Sequence, residues 1–155
     1  MDTSKKISAA TFLLIICSVR SAAAAEPPAD LCSLLPAAVV SKTLAGTYDS
    51  PSKSVAARPF RDTNEGTDCS YESGDDTLLF RVYVDPSPSA AQELFARLKS
   101  FFGKGSTPVS DLGDEAYSDA NGALHVRKGK VRFQIAASAT DEQLKALASG
   151  VVAQL

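Results

Sequence analysis

Apolar residues follow two periods along this chain, and the switch between them marks out helices and strands. Residues 31–46, LCSLLPAAVVSKTLAG, put Ala37, Val40 and Leu44 on one side of a helix that has Pro36 in its first turn and Gly46 as its stop. Residues 68–73 (DCSYES) and 77–84 (TLLFRVYV) change to the two-residue period of strands. Leu78, Phe80, Val82 and Val84 alternate there with Leu79, Arg81 and Tyr83. The helical period returns in DPSPSAAQELFARLKSFFGKG. Ala91, Leu94, Phe95, Leu98 and Phe102 form its stripe, Ser89 and Gln92 have capping-box spacing, and Gly103 ends it. Phenylalanines at that spacing read as core.

Three further strands follow, DEAYSD, ALHVRK and KVRFQIAAS, joined at Asn121-Gly122 and Lys128-Gly129. Asn-Gly predicts a tight hairpin, because these two residues tolerate the positive φ its central positions need. The chain closes on TDEQLKALASGVVAQL, a helix with Thr140 and Gln143 as a second capping box and Leu144, Leu147, Ala148, Val151, Val152 and Leu155 on one side. Residues 47–68 are rich in Ser, Pro, Asp and charge, and read as a surface loop with room for a short edge strand at Val55–Phe60. The resulting order, αββαβββα, predicts an α+β fold: an antiparallel sheet of about five strands with amphipathic helices packed on one face. Only one link between strands contains a helix, which disfavours a parallel doubly wound sheet.

The opening residues add a location to this picture. In MDTSKKISAATFLLIICSVRSAAAAEPP, Lys5 and Lys6 precede an apolar run from Ile7 to Val19, and small residues follow up to Ala25. That is the layout of a secretory signal peptide, with cleavage expected after Ala25 and a single secreted domain over residues 26–155. The run is shorter than the ~20 residues a membrane span requires, so no permanent anchor is expected. Ile15 and Ile16 stand before Cys17 where lipid attachment would need small residues. Periplasmic or extracellular localisation follows.

Loss of Lys5, Lys6, Arg20 and Asp2 with the leader turns 16 basic and 18 acidic residues into 13 and 17, and the net charge from −2 into about −4. Such a chain lacks the basic footprint of nucleic-acid binding. Two cysteines remain, Cys32 and Cys69, in a compartment where disulfides persist, and they are predicted to pair. Their spacing is not the Cys-x-x-Cys of a redox pair.

The segments DLCSLLPAAVVSKTLAG, CSYES and DLGDEAY, followed by a basic hairpin and a terminal amphipathic helix, resemble a broad group of small bacterial secreted proteins and lipoproteins of unknown function. The resemblance spans nearly all of residues 26–155. It implies an exported α+β domain with a Cys32–Cys69 bridge. Members of that group often carry a lipid-anchoring cysteine, and this chain departs from them there.

Few chemistries find their residues. One histidine and two cysteines do not make a zinc site, and SGDDT and SDLGDE read as turns rather than calcium loops. No Gly-x-Ser-x-Gly elbow occurs, and GKGS follows a helix instead of opening one, so neither a serine nucleophile nor a phosphate-cradling loop is marked. No metal or other cofactor is expected. Strand alternation instead gathers Arg81, Tyr83, His125, Arg127 and Arg132 on the sheet face turned away from the helices, basic and aromatic on an acidic protein. The same residues also read as a solvated outer face. The function expected from this pattern is a non-enzymatic binding or accessory module of the cell envelope, taking a protein, a peptide or an anionic envelope component on the open face or the 47–68 loop. The alternatives are a hydrolase-like enzyme using His125 with a carboxylate such as Asp114 or Glu115, and a purely structural envelope protein.

Overall fold

The computed structural model of the protein describes residues 26–155; the expected leader, with its cleavage site and Cys17, lies outside the described residues. Seven antiparallel strands form one sheet: β1 (Ser52–Ala56), β2 (Gly66–Ser73), β3 (Asp76–Val84), β4 (Thr107–Pro108), β5 (Glu115–Ser118), β6 (Leu124–Lys128) and β7 (Val131–Ala136). Their spatial order is β1-β2-β3-β7-β6-β5-β4. Three helices accompany them, α1 (Ala37–Leu44), α2 (Pro88–Phe102) and α3 (Asp141–Val152). Among the described residues no helix is long and apolar enough to cross a membrane.

The α+β class and the antiparallel sheet agree with the sequence pattern; the strand count grows by two at the edges. β1 falls at Ser52–Ala56, earlier than Val55–Phe60, and four of its five residues are exposed. Its polar residues carry no alternation to read, because an outermost strand is held by backbone bonds to one neighbour. β4 is two residues long and contains Pro108, which keeps that edge short and poor in donors.

Pro36 shapes the N-terminal helix differently from the simple periodic reading. The segment breaks into a 3₁₀ turn at Leu31–Leu34, whose start is capped by Asp30, and then α1, with Pro36 as N-cap at φ −63°, ψ 142°. A helix running through Pro36 would lose a hydrogen bond and clash with the preceding turn. α2 likewise starts earlier than the Ser89–Gln92 spacing suggests. Pro88 occupies its first turn and Ser87 Oγ accepts from the Ala90 N–H at 3.1 Å, while Ser89 only meets the Ser87 hydroxyl. At α3 the expected capping box is complete: Thr140 accepts from the Gln143 N–H, and the Gln143 side chain accepts from the Thr140 N–H.

α1 and α3 lie on one face. Val40, Leu144, Leu147, Ala148 and Val151 pack with Leu78, Phe80, Val82, Leu124, Val126, Phe133 and Ile135 in one buried core. Gln143 and Gln154 of the C-terminal segment donate to the carbonyls of Thr43 and Leu34, fastening the two helical segments together. The Cys32–Cys69 disulfide, with Cα atoms 5.7 Å apart, ties the 3₁₀ turn to β2 beneath them.

α2 is not on that face. Phe95, 2% exposed, meets the Tyr117 ring edge-on at 5.3 Å, and Lys99 reaches Glu115 at 3.4 Å. Glu115 and Tyr117 alternate with Ala116, which belongs to the α1/α3 core, so α2 covers the opposite side of the sheet. The expectation of helices on one face is corrected to a three-layer arrangement, α1 and α3, sheet, α2. An apolar stripe shows that a helix must cover something; it carries no information about which face it covers.

Candidate functional site

The α2 face of the sheet is built in two cross-strand rows. Tyr117, His125, Gln134, Arg81 and Asp68 stand side by side across β5, β6, β7, β3 and β2, and Glu115, Arg127, Arg132 and Tyr83 form the next row. The strand register therefore brings together all five residues picked out by alternation, but the face is roofed, not open. Tyr83 is 7% exposed, Arg132 3% and Arg127 9%. Large rings at Tyr83 and Tyr117 on a face that otherwise reads as polar were the available signal that something covers it.

Between that roof and the strands lies a cleft of about 400 Å³. Arg81, Tyr83, His125 and Arg132 line its floor with Tyr117 and Gln134; Phe95, Leu98 and Phe102 of α2 form one wall, and residues 57–59 form the other. Arg127 is not in it. Its guanidinium turns to Asp114, at 3.0 Å, which also accepts from Lys128 and from the Gly129 N–H. Phe102, expected in the core, is 57% exposed at the mouth.

Each cation of the floor is held by a carboxylate. Asp68 accepts from Arg81 Nε and Nη2 at 2.7 and 2.8 Å, and this pairing raises the guanidinium's already high pKa. Asp85 accepts two hydrogen bonds from Arg132 in a pair that is almost wholly withdrawn from water. Arg132 in turn stacks over the Tyr83 ring at 4.9 Å, and the Tyr83 hydroxyl donates to the Ala57 carbonyl at 2.8 Å, which fixes the 57–59 wall. Gly66 is obligatory beneath that ring, since a Cβ there would lie 2.6 Å from it. At the mouth, Arg97 covers the Phe60 ring at 3.8 Å and pairs with Asp62, and Phe60 meets Phe101 edge-on, joining the loop to α2.

His125 has a carboxylate, though not one of those expected. Its Nε2 lies 2.9 Å from Asp119, while Asp114 and Glu115 are engaged by Arg127, Lys128 and Lys99. Asp119 owes its position to the β5–β6 connection, which is a five-residue loop rather than a two-residue Asn-Gly turn. Its carboxylate accepts from the Asn121 and Ala123 amides, and only Gly122 takes positive φ. An aspartate able to bond its own downstream amides outcompetes the tighter turn. Burial pushes the Asp119 carboxyl up, but the bonds from His125 and the two amides outweigh it and hold it below the usual carboxylate range. Burial dominates at His125, whose pKa is lowered despite Asp119.

The imidazole stacks flat on Tyr117, ring centroids 4.7 Å apart. Among the described residues the Tyr117 hydroxyl is buried without a hydrogen-bond partner, and burial, reinforced by Asp119 and Glu115, pushes its phenol up to about 12. It is therefore a neutral O–H at any ordinary pH. Among the described residues no serine, threonine or cysteine lines the cleft. Among the described residues no three His, Cys, Asp or Glu side chains form a metal-holding group. Neither any protein-family model nor any curated protein matches this chain, so its relationships leave the cleft's role to be argued from the geometry alone.

Proposed function

We propose that the protein is an exported, non-enzymatic binding module of the cell envelope that receives its ligand in the cleft between α2 and the sheet. The observation that carries this reading is the composition of the cleft: aromatic and aliphatic walls, a few convergent polar groups and, among the described residues, no serine, threonine or cysteine, its only hydroxyls being the neutral phenols of Tyr83 and Tyr117. Concave, mostly apolar sites with sparse polar groups are the common form of small-molecule pockets. The floor is also held stiffly by the Arg81–Asp68 and Arg132–Asp85 forks, which suits binding by a preformed site.

Titrating ¹⁵N-labelled protein with a library of aromatic fragments tests this. Binders should shift the amides of Tyr117, His125, Gln134 and Arg81 together. Fragments that move only other surfaces would count against the cleft.

A hydrolase-like enzyme is the second reading, favoured by one observation, the His125–Asp119 pair facing the cleft. Aspartate orients a neutral histidine base in many hydrolases and stabilises the imidazolium it becomes. The pair needs a nucleophile that the cleft does not supply, so this reading requires activated water. Turnover of p-nitrophenyl esters by the protein, abolished in His125→Asn, would favour it over binding.

A further inference from the structure

We infer that the ligand is a small aromatic acid, held with its ring against Leu98 and Phe102 and its anionic group on Arg81 and Arg132. The inference rests on the cleft being the binding site, and it deepens that reading by assigning a charge to the occupant.

Three arginines, Arg58, Arg81 and Arg132, line the cleft against one aspartate, Asp119, while the carboxylates that pair with those arginines, Glu65, Asp68 and Asp85, are not among its lining residues. The carboxylates therefore orient the guanidiniums from behind, and the cleft meets the cationic side. Each fork is also incomplete. Arg81 and Arg132 both engage their aspartate through Nε and Nη2, and among the described residues neither Nη1 has a protein partner. Neither Nη1 is among the buried unpartnered atoms, so each keeps some exposure, Arg81 at 33% of its side chain and Arg132 at 3%. Arg81 and Arg132 are diagonal neighbours on β3 and β7, with Gln134 directly opposite Arg81. Donors so grouped suit one carboxylate or sulfonate. The Tyr117 O–H is buried out of the ligand's reach and contributes no donor to it. The apolar body then completes the walls, which stand incomplete around about 400 Å³.

A matched pair of fluorescent probes separates the two layers of the argument. N-phenyl-1-naphthylamine is neutral, and 1-anilinonaphthalene-8-sulfonate is the same skeleton with an anionic group. Both should bind the folded protein, and the sulfonate should bind about tenfold or more tightly, as one or two hydrogen bonds from charged donors require. In Arg81→Gln combined with Asp68→Asn, which leaves no unpaired carboxylate, the preference should fall severalfold while the neutral probe's affinity is retained. Leu98→Trp, which fills the cleft, should remove both. Equal binding of the two probes by the unaltered protein overturns the aromatic acid and leaves the cleft standing. No binding of either probe overturns the cleft reading as well. Sulfonate binding that survives Leu98→Trp places the probe on the exposed Phe101 instead, and also overturns the inference.

Discussion

Arg132 and Asp85 form a two-pronged ion pair inside the protein, their side chains 3% and 0% exposed, at the base of the candidate cleft. Burying two charges carries a large desolvation cost, which their attraction offsets only while both remain. Asp85→Ala strands the Arg132 charge and should destabilise the protein by about 3–5 kcal/mol. The combination Asp85→Ala with Arg132→Met removes both charges and should recover most of that loss, while taking the Arg132 cation out of the floor. Urea unfolding of the two variants checks the contrast; equal destabilisation would mean that the pair is not the element holding the floor.

His125 makes stability depend on pH in a stated direction. Its folded pKa lies below 6.5 because burial outweighs the help of Asp119. As pH falls, the unfolded chain takes up this proton first. The contribution of neutral His125 is therefore complete above about 6.5 and is lost as pH drops through that value toward the lower folded pKa. Asp119 acts with the same sign further down, since its folded pKa lies below 3.8. The His125 ring resonances should titrate with a midpoint under 6.5, and Asp119→Asn, which keeps an acceptor for the loop amides, should lower that midpoint further. A midpoint above 6.5 would show that Asp119 dominates instead.

The β3 alternation and the α3 cap were legible in the sequence because each depends on neighbours along the chain: Leu78, Phe80 and Val82 are buried as their period requires, and Thr140 meets Gln143. The cleft was half legible. Alternation placed Arg81, Tyr83, His125 and Arg132 on a common face, since register and period alone decide that. It could not show that Asp68 and Asp85 neutralise the arginines and so permit burial, nor that α2 returns over that face, because both depend on contacts remote in sequence. Asp119 was hidden for the opposite reason. It is six residues from His125, but its role depends on a loop conformation that Asn121-Gly122 masked by signalling a shorter turn.

Cys32 and Cys69 enclose a long loop that includes β1, and the chain-entropy treatment gives about 4 kcal/mol for closing it. Both sulfurs are buried, and the Tyr71 hydroxyl holds the carbonyl of Leu35 on the same side. Thiol labelling of the denatured protein should find neither cysteine until reductant is added. Cys32→Ala with Cys69→Ala should lower stability by several kcal/mol while α3 keeps its protection from hydrogen exchange longer than β1. Labelling of Cys32 or Cys69 before reduction would remove the basis for that expectation.

Gly113 and Gly122 both take left-handed backbone, at φ +63° and +81°, yet they should respond very differently to alanine. Nothing lies within 4 Å of a Cβ at Gly122, so Gly122→Ala carries only backbone strain, about 1–2 kcal/mol. A Cβ at Gly113 would sit 2.5 Å from the Arg127 carbonyl and 2.9 Å from Val126. That carbonyl cannot retreat, because it accepts the Asp114 N–H at 2.8 Å, and Asp114 in turn holds Arg127 and the Gly129 turn. Gly113→Ala must therefore part β6 from the segment that leads into β5, at a cost clearly exceeding that of Gly122→Ala. Thermal unfolding of the two variants ranks them, and equal melting temperatures would show that the entry to β5 yields where the geometry makes it rigid.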